Sequence, residues 1–268
     1  MVDNLKATLK RDYIIMLCHD FIKLSSSVWY FLEDARNVDY QIKEETITDF
    51  LMIFLKKNNK HMVKIKTFTR KEEKQNGSDW EWWFLDSSGK KGIGFRVQAK
   101  ILNLKKNKFL QLYYKNQNQN LISEAKKAKI KLFPLYCLYT HKDDLLTDYY
   151  GCSIISAYSI KNLKLKNIEP TLDNLKSHMF PWHILVCDCQ KTNIKMSLPN
   201  RIWKILKEEN FFEENIRTDD LPNNGELPNY VKKMINKSDN YYIEDDEPHF
   251  EDLDGVMVII DSEQHNLL

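Results

Sequence analysis

The sequence predicts an α/β protein: helices packed around one mixed β-sheet. Three observations carry this expectation. The chain has 268 residues, of which 43% are hydrophobic, enough for a sizeable core. Its apolar residues recur every three to four positions up to about Lys57, then switch to a period of two from His61. Finally, three strand-like segments are followed by a helical pattern and a further apolar run, the order that a parallel crossover requires.

The first 35 residues read as helix, with Leu5, Leu9, Ile14, Leu17, Phe21 and Leu24 at helical spacing and no Gly or Pro among them. A second helix is expected from about Tyr40 to Lys57, with Ile42, Ile47, Phe50, Ile53 and Phe54 on one broad face and Asn58-Asn59 at its end. His61 to Thr69 alternates lysine with β-branched residues and reads as a strand. Asp79 to Leu85, dense in Trp and Phe, is a second strand, Ser87-Ser88-Gly89 a turn, and Ile93 to Leu102 a third strand. Gln119 to Ile130 is a helix, and Phe133 to Tyr139 a buried strand. The chain then divides into a helical region (1–39), a core (40–141), an α+β extension (142–212) and an acidic, loop-rich C-terminal region (213–268). Ile184 to Cys187 reads as strand-like, and Val256 to Ile260 is a candidate strand returning to the sheet.

Composition narrows the classes. No apolar run approaches the ~18 residues of a membrane span. The charged N-terminus does not read as a signal peptide, so a cytoplasmic protein without membrane partners is expected. Five cysteines, mostly in apolar stretches, are expected to be reduced thiols. Charge is uneven: residues 1–134 carry 26 Lys+Arg against 15 Asp+Glu, whereas residues 207–268 carry 5 against 17. A basic front fits a polyanion such as nucleic acid, and the acidic end would repel the same ligand. Phosphate-binding glycine loops and a nucleophile elbow are both missing from the sequence, so nucleotide-cofactor and serine-hydrolase chemistry lack support.

The most informative segment is Gly77-Ser78-Asp79-Trp80-Glu81-Trp82-Trp83-Phe84, followed by Gln98-Ala99-Lys100. Alternate residues of a strand share a face, so Asp79 pairs with Glu81 and Gln98 with Lys100. The turn near Gly89 makes the two strands neighbours, and the four polar groups converge on one edge of an otherwise apolar sheet. Acid, amide and amine together suit metal-assisted hydrolysis of a phosphodiester. Mg²⁺ or Mn²⁺ takes oxygen ligands, and a lysine beside it stabilises charge developing on the phosphate. Glu45 and Asp49, four apart on the second helix, are candidates for a further carboxylate.

At these residues the chain resembles the restriction-endonuclease-like, PD-(D/E)xK, nuclease superfamily. Its core is helix, three strands, helix, strand, with an acid on the second strand and (Asp/Glu)-x-Lys on the third. Asp79 matches the first acid, Gln98-Ala99-Lys100 is similar to the Gln-x-Lys form of Mrr-type restriction enzymes, and Glu45 matches the acid many members carry on the first core helix. Glu-Glu-Thr-Ile-Thr-Asp, Thr-Arg-Lys-Glu-Glu, Arg-Val-Gln-Ala-Lys and Pro-Leu-Tyr also look like an uncharacterised bacterial family of such proteins. The resemblance implies a cytoplasmic, Mg²⁺-dependent endonuclease in anti-phage defence, acting on DNA before RNA. Asp79, Gln98 and Glu45 would hold the metal, Lys100 would act on the phosphate, and Glu81 and Asp49 are additional candidates. A homo-oligomer is left open.

Each residue also has an ordinary structural reading. Asp79 suits a turn at a strand entrance, Lys100 a strand end, Glu45 and Asp49 a solvated helix face. Trp80, Trp82, Trp83 and Phe84 suit sheet packing, and His183 in Pro-Trp-His a structural role. Two other functions therefore stand beside the nuclease: a non-catalytic nucleic-acid-binding module on the same fold, and a protein-interaction partner working through its acidic tail.

Overall fold

The computed structural model describes residues 2–68, 80–141, 146–187, 196–209, 211–212, 225–236 and 253–261, with side chains from Met16 onward. The chain forms a mixed α/β fold around one seven-stranded sheet. A long helix α1 (Val2–Asn37) leads into α2 (Glu44–Asn58), then strands β1 (Val63–Thr67), β2 (Trp80–Leu85) and β3 (Gly92–Ile101). Helix α3 (Gln117–Lys127) carries the chain to β4 (Leu132–Tyr139). There follow β5 (Cys152–Ser156), α4 (Ala157–Leu165), α5 (Leu172–Leu175), β6 (Phe180–Pro181), α6 (Leu198–Glu208), α7 (Asn229–Asn236) and β7 (Gly255–Ile260).

The strand order is β1-β7-β2-β3-β4-β5-β6. The β2–β3 pair is an antiparallel hairpin with Glu81 opposite Arg96 and Trp80 opposite Val97. Its turn places Gly89 at a φ of 63°, a left-handed conformation that glycine adopts without strain. The β3 and β4 strands run parallel, so α3 is the crossover that the apolar spacing implied. The C-terminal strand departs from the expected order of three adjacent sequential strands. Val256–Ile260 does return as a strand, but it wedges between β1 and β2, antiparallel to the first and parallel to the second. All six residues of β7 are buried, so this C-terminal strand lies at the heart of the sheet.

Two cores sandwich the sheet. On one side α1, α2 and α6 cover Trp80, Trp82, Phe84, Phe95 and Val97, with Phe21 against Trp182 at 4.3 Å between rings. On the other, α3, α4 and α7 cover Trp83, Tyr136, Leu138 and Val258. Burying side chains of this size on both faces supplies most of the folding free energy, at about 1.5–3 kcal/mol each. The long helix docks at very close range: a Cβ on Gly151 would lie 2.0 Å from the Ser25 carbonyl oxygen.

Three further expectations are corrected. Ile184 to Cys187 is not a strand; Trp182–Leu185 is a 3-10 turn, anchored by the Trp182 indole N–H donating to Phe21 O at 2.8 Å. The C-terminal region is not wholly loop-rich, since it contains α7. The cysteines are not all free thiols: Cys18 of α1 and Cys187 form a disulfide, while Cys137 and Cys152 are buried and free. Burial pushes the Cys137 thiol up to about 12, which removes it as a nucleophile at neutral pH.

Candidate functional site

The first turn of α2 comes to rest over the ends of β3 and β4. Thr48 holds it there, its hydroxyl 3.1 Å from Glu44 O and 2.8 Å from the Tyr139 hydroxyl. Pairing of β2 with β3 begins at Trp80↔Val97, so Gln98 to Ile101 extend past the first described residue of β2. Glu44 fills part of that edge. Its Oε1 accepts a hydrogen bond from the Ile101 N–H at 3.1 Å, and its Oε2 lies 3.6 Å from the Lys100 ammonium. The Lys100 side chain is 5% exposed and that of Glu44 21%. A lysine so buried demands a counter-charge, and Glu44 supplies it. Burial raises the Glu44 pKa above its ordinary value, against the lowering pull of Lys100 and the Ile101 N–H; neighbouring Glu45 adds to the rise.

Glu44 also stands on the rim of a cleft of about 350 Å³ at this end of the sheet. Four acids line it: Glu44, Glu45 and Asp49 from α2, and Asp254 from the residue before β7, with Trp80 and Ala99 at its wall. Asp254 arrives there because Gly255, the next residue, is paired with Trp80.

Glu45 and Asp49 thus share the cleft, both exposed. Lys100 contacts the preceding acid, Glu44, at the position the sequence assigned to Glu45. Gln98 is 3% exposed, and its side-chain oxygen has no hydrogen-bond partner among the described residues. It shares the α3 side of β3 with Lys100, whereas Ala99 faces the α2 side and the cleft. Asp79 lies outside the described residues. Glu81 is engaged elsewhere: its carboxylate accepts from the Trp83 indole N–H at 3.1 Å and from the Tyr230 hydroxyl, and pairs with the Arg96 guanidinium, whose Nε lies 3.1 Å away. Burial, and then the charge of Glu81, raise the Tyr230 pKa well above its usual value, so this phenol stays protonated as the donor.

Sequence reasoning missed Glu44, Arg96 and Asp254. Arg96 was legible in principle, since a hairpin through Gly89 sets it opposite Glu81. Glu44 differs from Glu45 by one helical step, which periodicity does not resolve. Asp254 was hidden in a stretch read as an acidic loop.

The model of a family of unknown function, DUF6615, matches residues 17–266. The chain belongs to DUF6615. No curated protein and no solved structure matches it. The DUF6615 match includes both α2 and β7, so all four cleft acids fall within it. Among the described residues, no group of three or more His, Cys, Asp or Glu side chains is gathered to hold a metal ion, and no helix is long and apolar enough to cross a membrane.

Proposed function

We propose that the protein is a Mg²⁺- or Mn²⁺-dependent nuclease that hydrolyses phosphodiester bonds, acting on DNA before RNA. The observation that carries this reading is the buried Lys100 ammonium, held by Glu44 at the rim of an acidic cleft. The order α2, β1, β2, β3, α3, β4, with β3 and β4 parallel, supports a restriction-endonuclease-like core, into which β7 is an insertion. The defence setting rests on resemblance alone.

The donor chemistry suits a hard divalent cation. An amide oxygen buried without a partner among the described residues, two positions from Lys100, is the kind of oxygen such an ion recruits. Gln98 and Glu45 would hold it, together with Asp79. When bound, the cation supplies Lewis acidity to the scissile phosphate and to an attacking water. Lys100 contributes a fixed positive charge for the negative charge that develops on the phosphate, and Glu44 orients that ammonium. Carboxylates lining the cleft leave room for a water and an acceptor for its proton.

Incubation of plasmid DNA and of single-stranded substrates with Mg²⁺ and with chelator tests the reading. Cleavage with Mg²⁺ and none with chelator supports it; no cleavage of any substrate under either condition refutes it. A second reading, nucleic-acid binding without cleavage, is favoured by the engagement of Glu44 with both Lys100 and the Ile101 N–H, which occupies the carboxylate nearest the lysine.

A further inference from the structure

Chain segments that follow the candidate site are unusually basic. Residues 103–131, the connection from β3 through α3 to β4, hold eight lysines and a single acid, Glu124. Residues 157–168, most of them in α4, hold three lysines and no acid. The fold brings these segments together: the Lys164 ammonium donates to Tyr113 O at 3.2 Å and to Lys115 O at 3.3 Å. At the site end of the sheet this builds a ridge on which Lys105, Lys106, Lys115, Lys164 and Lys166 are all exposed. Exposed Tyr114 and Leu165 stand among them. The ridge begins at Lys105, five residues after Lys100, and Lys105 reaches Asp39, in the turn between α1 and α2, at 2.6 Å.

Backbone conformation singles out the same surface. Among the described residues, the non-glycine positions with positive φ are Asp39 (55°), Asn107 (50°), Lys115 (46°) and Asn167 (56°). Asp39 reaches the ridge through Lys105, and the other three lie within its two segments. A left-handed lysine is uncommon and costs about 1 kcal/mol or more, so fixed surroundings must hold Lys115 there.

We infer that this ridge is the docking surface for the sugar-phosphate backbone of double-stranded DNA, leading the duplex to the cleft. It rests on the nuclease reading for its substrate, but not on cleavage itself. Lysines are point-charge partners of phosphate, and a row of them beside a site for phosphodiester chemistry tracks a strand without reading its sequence. Asp39 and Glu169 each take up one lysine, Lys105 and Lys108, through ion pairs exposed enough to exchange readily for phosphate.

The test is binding in chelator, where nothing is cut. Fluorescence anisotropy of a short labelled duplex is followed over a salt series. The parent is compared with a ridge variant (Lys105→Gln, Lys106→Gln, Lys115→Gln, Lys166→Gln) and a control variant of equal charge change (Lys57→Gln, Lys60→Gln, Lys90→Gln, Lys91→Gln). The control lysines are exposed and lie at the opposite end, at the close of α2 and in the β2–β3 turn. Every lysine–phosphate pairing removed lowers the slope of log affinity against log salt by about 0.9, so the ridge variant should lose about 2–4 of slope and tenfold or more in affinity. The control should change little. Equal losses in the two variants, or no duplex binding by the parent at low salt, overturn the inference. So does a parent that binds single-stranded RNA or anionic vesicles but not duplex. If the fourfold ridge variant is unfolded, acylation footprinting of the parent decides: the duplex should protect Lys106, Lys115 and Lys166 but not Lys90, and the reverse pattern refutes the ridge. Binding that disappears in the ridge variant stands whether or not the parent cleaves.

Discussion

Replacing Glu81 with Ala separates the two roles the sequence left open for that acid. Its side chain is 1% exposed, accepts hydrogen bonds from Trp83 and Tyr230, and forms an ion pair with Arg96. Truncation removes the ion-pair partner of the Arg96 guanidinium, whose own side chain is 5% exposed, in a low-dielectric interior. Removing one partner of a buried ion pair costs about 3–5 kcal/mol. For a chain of this size each kcal/mol lowers Tm by about 2 °C, so the drop should be about 6–10 °C. Urea unfolding measures the cost directly, provided the denaturant slope stays that of the parent. The double variant Glu81→Leu, Arg96→Met removes both charges and should recover the ion-pair part of the loss, while the Trp83 and Tyr230 donors remain without Glu81. If Glu81→Ala is as stable as the parent but no longer cleaves DNA, Glu81 works in the site and the structural account of it is wrong.

Three further perturbations follow from the geometry. The raised pKa of Glu44 means the folded state favours its protonated form. The pH-dependent part of the parent's stability relative to Glu44→Gln should therefore be fully present below the ordinary 4.5 and be lost as pH rises through the raised value; a difference that stays flat across pH would contradict this. Gln98→Glu should retain Mg²⁺ binding, read by calorimetry, better than Gln98→Ala, because an oxygen remains at the same reach; equal loss would mean that Gln98 serves packing. Cys18→Ser opens a link between residues 169 apart in sequence and should cost up to about 5 kcal/mol by loop entropy, with peptide mapping of the unreduced parent recovering Cys18 joined to Cys187; two free thiols there would contradict the disulfide.

Local signals were legible wherever one segment settles its own geometry. The β2–β3 hairpin follows from two aromatic and apolar runs around Ser87-Ser88-Gly89, and the α3 crossover from amphipathic spacing before Phe133. What escaped depends on residues distant in sequence. Val256–Ile260 announces a strand by its apolar run, but its seat between β1 and β2 is set by packing against residues about 175 to 195 positions away. A truncation from about residue 240 would therefore remove an interior strand and not merely an acidic tail. Pro181-Trp182-His183 reads as a strand entrance because it opens the apolar stretch Ile184 to Cys187. Yet the Trp182 indole is spent on Phe21 O, across 161 residues, and the chain tightens into a 3-10 turn. The candidate site was legible as a lysine near acids at the close of β3. Which acid meets the lysine depends on how Thr48 and Tyr139 rotate the start of α2, and single-residue spacing carries no such information.

The central claim is that Lys100 serves phosphodiester hydrolysis, and the most direct measurement is the Mg²⁺-dependent rate of plasmid cleavage by Lys100→Ala and Asp79→Ala. Circular dichroism and thermal unfolding of the same preparations establish that each is folded. The account predicts that both variants fall roughly a hundredfold or more in rate, through missing charge stabilisation at the phosphate for Lys100 and a missing metal ligand for Asp79. Folded variants that cut at the parent rate would contradict it.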